Sequence, residues 1–452
     1  MSPPAHRPLP HTVPTPLWAV LAFTFLNSIG SAVISQGIFF IAREAYGFGP
    51  AERFGLGLVY GLTYIPGALF IGPLLRRLRQ SGSLSPRAVL GVVMVLMALI
   101  CWLPWLAEAM QQVPRVGGVA GGGGTGAAGA PGRPAWSLWV VIALYSPLSG
   151  AMWPMVEAFL AGGRSDHQLR SATGKFNVCW AGALVVSLPA IGPLIEWDAL
   201  LSMQGLSAIH LAAAAVLLTF NTQPGGHPPH HEHAPHPPVY SQLLAFLRVL
   251  LPTAFLFIST LAPYLPGALG ALGIETTLAT TVASTWLLSR VLTFLVMERW
   301  HGWHGRWSTV LIGGTVLLAS FAVVVLAPIA LPGGGTVALA AVIAALAGFG
   351  IGVGIIYCSA LYYAMEVGAA QVDAGGTHET LIGIGYTVGP ACALAAIGAT
   401  HTRLAPTTGY EPIMAGLVCV VAVLAAGYGI RVARRSTAAD RLAPAEVQTR
   451  NP

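Results

Sequence analysis

Runs of about 20 apolar residues, the length a helix needs to cross the hydrocarbon of a bilayer, recur from Leu17 to Ile430 with only short polar breaks. That recurrence excludes most folds. Lipid offers the backbone no hydrogen-bond partner, so segments of this kind must be helices. Of 452 residues, 55% are hydrophobic and 8% charged, against about 25% charged in a soluble domain. Most of the surface therefore cannot face water.

Reading with the window of a membrane span places helices at 17–40, 54–75, 88–107, 136–160, 176–195 and 200–220, then at 244–265, 277–297, 308–331, 336–363, 380–400 and 412–431. The expected fold is an all-α membrane protein of twelve transmembrane helices in two pseudo-symmetric six-helix bundles, 17–221 and 241–432. A proline-rich tail, 1–16, precedes them and a second tail, 433–452, follows. The first sixteen residues lack the charged start and the cleavage site of a signal peptide, so the run from Leu17 is expected to be a retained span.

Charge placement orients the bundle. With both termini on the cytoplasmic side of the cell membrane, fifteen of the 22 Lys and Arg fall in inner segments, among them Arg76, Arg77, Arg164, Lys175, Arg299 and Arg435. Outer loops hold five, Arg43, Arg53, Arg115, Arg133 and Arg403, while Arg248 and Arg290 sit in or beside spans. This is the positive-inside asymmetry, and it requires an even number of crossings. The net charge of +6 forms no basic stripe, which argues against nucleic acid as a partner. The five cysteines all lie in apolar stretches without a CxxC pair and read as packing residues.

Two inserts interrupt the pattern. Within the external loop 109–135, Val116 to Pro134 is almost entirely Gly, Ala and Pro and reads as a flexible linker. Within 222–240, the run GGHPPHHEHAPHPP from Gly225 to Pro238 joins the two halves near the middle of the chain. The halves also share a motif. The fourth span ends Gly150-Ala-Met-Trp153-Pro-Met-Val-Glu157, and the tenth ends Ser359-Ala-Leu-Tyr362-Tyr-Ala-Met-Glu366. A small residue, Ala, a long apolar residue, an aromatic and a final Glu coincide, as parallel repeats require.

Further motifs sit where a known pattern puts them. Gly72-Pro-Leu-Leu-Arg76-Arg77 follows the second span, Glu298-Arg299 with Gly305-Arg306 follows the eighth, and His378-Glu379 with Gly383, Gly385, Gly389 and Pro390 marks the eleventh. A weaker counterpart in the fifth keeps Phe176-Asn177, Trp180 and Gly182. Over nearly its whole length the chain resembles the major facilitator superfamily. Arg76 stands where that family's loop usually has an Asp, whereas Glu298-Arg299 keeps the acidic-basic pair. The resemblance implies a secondary transporter working by alternating access, without a cofactor and not an enzyme. Its partners would be membrane lipid, a small solute and a coupling proton, the chain acting as a monomer.

Ionisable groups inside a bilayer are costly and mark function by default. Glu157 lies seven residues before Arg164, about 10 Å deeper along its helix at 1.5 Å per residue. Arg290, Glu366, His378 and Glu379 fall at similar depths, so the five are expected to form a gate at the cytoplasmic mouth, the carboxylates pairing with Arg290 when that side is closed. For Glu157 and Glu366 an equal alternative is that they only fix helix ends. Glu379 beside His378 is the first candidate for proton coupling. Nearer the midplane the candidates are Asn27, Tyr60, Tyr64, Ser259, Thr260, Trp286 and Tyr357. These stack and hydrogen-bond but cannot neutralise strong charge, which points to a neutral or amphipathic solute.

Two rival functions fit the same spans. A sensor of this fold would bind without transporting. A divalent-metal exporter would use His227, His230, His231, His233 and His236, which fall within ten residues of one another. No span carries the clustered His and Asp that would pass a stripped cation onward, so the metal reading is the weaker one. Deleting residues 225 to 238 is expected to leave metal resistance and transport unchanged; loss of resistance would restore the exporter.

Overall fold

The computed structural model describes residues 13–112, 133–164, 166–225, 237–331, 335–367, 372–400 and 409–442. Among these, eleven helices are long and apolar enough to cross a membrane, and one of them, Ser171–Thr219, runs for 49 residues. At 1.5 Å per residue it would stretch about 74 Å, more than twice the hydrocarbon thickness. It is not one crossing. Asp198 leaves the helical region at φ −158° and ψ 113°, and its Oδ1 accepts the Leu200 amide at 3.0 Å. An aspartate that stops one helix and caps the next divides the segment into two spans, giving twelve crossings in all.

We number the spans α1 (Leu17–Tyr46), α2 (Pro50–Ser81), α3 (Pro86–Gln111), α4 (Trp136–Ala161), α5 (166–197) and α6 (199–216). The second half comprises α7 (Pro238–Ala271), α8 (Thr276–Arg299), α9 (Trp307–Ala330), α10 (Gly335–Val367), α11 (Val372–Thr400) and α12 (Tyr410–Leu442). Local chemistry sets their ends. Pro50 opens α2 just after Gly49, whose amide donates to the Glu52 carboxylate at 2.6 Å. The Ser85 hydroxyl accepts the Ala88 amide at the start of α3. Gly47 and Gly82 end α1 and α2 in the left-handed region, at φ 69° and 67°.

The expected spans are all present, and most helices overrun them. α11 begins at Val372 rather than at 380, because His378 and Glu379 depress the local hydropathy without breaking the helix. α2 continues through Arg76 and Arg77 to Ser81, so those motif residues close a helix rather than occupy a loop. Phe70, Leu62, Val420, Val423 and Leu424 point outward from the bundle. An apolar rim of this extent suits lipid and not water.

Packing repeats with a shift of six helices. Within the halves, α2 lies on α4 as α8 lies on α10, and α9 on α10 and α7 on α11 complete the second bundle. Between the halves, α2 packs against α11 and α5 against α8, which are equivalent contacts under the same shift. The α2–α11 seam is tight at Gly61, where an added Cβ would lie 2.5 Å from the Thr387 nitrogen and the Tyr386 carbonyl carbon. Gly61→Ala is therefore expected to lower stability by about 1–3 kcal/mol through overpacking, read as a fall in apparent Tm in detergent. Gly91→Ala in α3, which meets nothing within 4 Å, should be neutral or stabilising; equal effects at both positions would contradict the seam.

Candidate functional site

A cavity lies between the halves, with about 720 Å³ of empty space, its opening included. Both bundles build the wall. The first contributes Ser31, Ser35 and Gln36 from α1, Tyr60 and Tyr64 from α2, Trp153 and Glu157 from α4, and Trp180 from α5. The second contributes Phe255 from α7, Trp286 and Arg290 from α8, Tyr357 from α10, and Glu379 and Tyr386 from α11.

In α1 the backbone widens into a π-helical turn over Val33–Gly37, directly where Ser35 and Gln36 meet the cavity. Such bulges insert an extra residue into a turn and re-aim the side chains around it. On the opposite wall the aromatic rings interlock edge to face. Tyr386 stands 5.1 Å from Tyr60, 5.7 Å from Tyr64 and 5.3 Å from Phe255 between ring centroids. Trp180 stands 5.4 Å from Tyr357. These separations are those of favourable aromatic pairs.

Three ionisable side chains sit in this wall. Glu379 is buried, and its carboxylate accepts the Tyr64 hydroxyl at 2.5 Å across the seam between the halves. Arg290 is 3% exposed and forms no ion pair among the described residues. The expected pairing of Arg290 with the glutamates is thus not made in this conformation. Its guanidinium lies over Trp180 at 4.5 Å and over Trp286 at 4.9 Å instead. Two indole faces stabilise a cation at this range, but they leave Nε and Nη2 without acceptors among the described residues. Glu157 lines the same cavity from α4.

Of the residues singled out in the sequence, Glu157, Arg290, Glu379, Tyr60, Tyr64, Trp286 and Tyr357 come together here. Others do not reach the cavity wall. Asn27 donates to the Phe23 carbonyl of its own helix. Thr260 bonds Leu256 one turn back, and Ser259 bonds Leu256 and Gly385, stitching α7 to α11. Gly389 packs against Ser259 and Leu256, and Pro390 packs against Gly57. His378 is half-buried with its ring 6.2 Å from Tyr357. Gly72 is buried in α2, Arg76 and Arg77 are exposed near its end, and Glu298 and Arg299 are exposed at the end of α8. The side chain of Glu366 and the five histidines from His227 to His236 lie outside the described residues. Among the described residues, no group of three or more His, Cys, Asp or Glu could hold a metal.

Tyr386 was not singled out in the sequence, since a lone Tyr in an apolar span carries no local signal. Arg43 and Arg53 read only as loop charges, yet they close the end of the bundle away from the termini. Arg43 donates to the Pro266 carbonyl at 2.6 Å, and Arg53, itself buried, packs against Gly267. Glu196 accepts the Thr277 amide at 2.8 Å. Cations from the first half thus meet the C-terminus of α7 and an anion meets the N-terminus of α8, each matched to the helix dipole.

The fold has close counterparts among solved structures. The nucleoside transporter NupG superimposes with a TM-score of 0.59 at 13% identity, over 92% of this chain and 98% of that one. A single-residue mutant of the same transporter gives 0.59 at 12% identity, over 93% and 99%. A bacterial homologue of the human lysosomal transporter Spinster, in an inward-facing and unoccupied conformation, gives 0.58 at 15% identity, over 95% and 98%. No protein family matches the sequence, and no curated protein matches it either. At these identities the likeness is one of fold.

The Tyr64–Glu379 contact generates a direct test. Removing one partner of a buried hydrogen bond to a carboxylate costs about 1–3 kcal/mol, so Tyr64→Phe should lower the apparent Tm in detergent by several degrees. An unchanged Tm would mean that the hydroxyl does not hold the two halves.

Proposed function

We propose that the chain is a secondary active transporter that moves a small, neutral or amphipathic solute across the cell membrane by alternating access coupled to protons. The observation that carries this reading is the Tyr64–Glu379 bond. It places a buried carboxylate on the seam between two bundles, beside a cavity that both bundles line. A carboxylate there is bonded differently in its charged and neutral forms, so gaining or losing a proton changes the strength of the contact between the halves. Proton movement and rearrangement of the halves are thereby linked.

Glu157, Glu366 and His378 join Glu379 in the gate on this reading, with the termini on the cytoplasmic side as the distribution of Lys and Arg indicates. The solute rests among Tyr60, Tyr64, Trp286, Tyr357 and Tyr386, surfaces suited to a planar body with polar substituents. The fold neighbour named as a nucleoside transporter supports transport of a small planar solute. Opening of the opposite end would release Arg43 from Pro266 and Glu196 from Thr277.

Reconstitution into liposomes tests the coupling. An imposed proton gradient should drive accumulation of the solute in the wild type, and Glu379→Gln should abolish dependence on the gradient while leaving exchange intact. Accumulation by Glu379→Gln that remains fully dependent on the gradient would remove Glu379 as the coupling group. Binding without any flux in the wild type would make the protein a sensor.

A further inference from the structure

Around one corner of the cavity the hydrogen-bonding capacity is lopsided. Nε and Nη2 of Arg290 and Nε1 of Trp286 are buried, and none of the three has an acceptor among the described residues. All three are donors on the same turn of α8, and both side chains line the cavity. A buried guanidinium without a counter-charge is among the least favourable arrangements in a protein. Flanking indoles offset only part of that cost.

The two nearby carboxylates do not supply the missing partner. Glu379 is held by Tyr64 on the α2 side, and Glu157 forms no ion pair with Arg290. Asn177, the nearest amide in sequence to Trp180, already accepts the Trp180 Nε1 at 3.1 Å. The remaining candidate is the solute itself. A guanidinium edge presents parallel N–H groups that match the two oxygens of a carboxylate, and the Trp286 N–H adds a third donor. Trp180 and Trp286, the rings that bracket Arg290, and Tyr357, which packs against Trp180, all line the cavity beside it.

We propose that the transported solute is a planar aromatic monocarboxylate whose carboxylate binds the free edge of Arg290 and the Trp286 N–H, its ring lying among Trp180, Trp286 and Tyr357. The proposal rests on the reading of this cavity as the solute site, and it sharpens the amphipathic solute expected above by giving it one anionic end. Arg290 is then the charge that the carboxylate neutralises.

The test compares matched ligands on the purified full-length protein in detergent by thermal shift, since ligand binding to the folded state raises apparent stability. The probes are phenylacetate and indole-3-acetate, their amides, and phenethylamine and tryptamine. The acids should bind at least tenfold more tightly than the amides and amines. Arg290→Gln should bring acid and amide to within about twofold of each other, whereas Arg290→Lys should keep a preference for the acid. Amides or amines binding as tightly as the acids to the wild type, no acid binding at all, or an acid preference that survives Arg290→Gln would each overturn the proposal. The wild-type comparison decides even if Arg290→Gln does not fold. Acid-selective binding without flux in liposomes would uphold the anion site while refuting transport; gradient-driven flux of a solute with no acid preference would do the reverse.

Discussion

A backbone amide inside hydrocarbon must find its partner within the protein, and the rest of this structure follows from that requirement. It makes every crossing helical, and it makes every polar side chain at that depth costly unless another helix or a cavity receives it. Charged side chains are rare among them, and three converge. Glu157, Arg290 and Glu379 come from α4, α8 and α11, yet all three line one space between the bundles. The bilayer leaves the interior seam as the place where charge can be kept, and the seam is also where the two halves must move if the cavity is to change sides.

The repeated architecture carries different chemistry at its two equivalent contacts. Where α2 meets α11, the Tyr64 hydroxyl bonds the Glu379 carboxylate. Where α8 meets α5, the related contact, the Arg290 guanidinium lies on the Trp180 ring. One seam is a hydrogen bond to an acid, the other a cation on an aromatic face. On the proposed mechanism the first responds to a proton and the second to an anion, so a symmetric frame would serve two ligands. Farther along, Arg43 of α1 and Glu196 of α5 use the facing ends of α7 and α8 as their partners, contacts that separate without leaving a buried charge behind.

Much of this was legible in the sequence, because lipid reduces folding to a count. The spans, their even number and the two halves could be read from apolar length and from Lys and Arg placement, even though α5 and α6 run on as one helix interrupted only at Asp198. The convergence of Glu157, Arg290 and Glu379 followed from equal depth. What depth cannot tell is rotation. Asn27, Ser259 and Thr260 lie at suitable heights, but their hydroxyls and amide satisfy backbone carbonyls. Tyr386 faces the cavity from a span rich in glycine, where nothing in the local pattern favours one face. Arg290 looked like the partner of a carboxylate because isolated charges attract; its indole neighbours come from α5 and from its own helix, and only the folded packing brings Trp180 over it.

On the proposed mechanism the two halves rock about the cavity so that one end opens as the other closes. Paired spin labels on a cysteine-free background measure this directly, at Ala51 and Leu278 for the end distant from the termini and at Arg79 and Arg299 for the end that carries them. Double electron–electron resonance in nanodiscs should show two distance populations for each pair, shifting in opposite directions between neutral and acidic pH. A single unchanged population for both pairs, or the two distances lengthening together, would contradict the account.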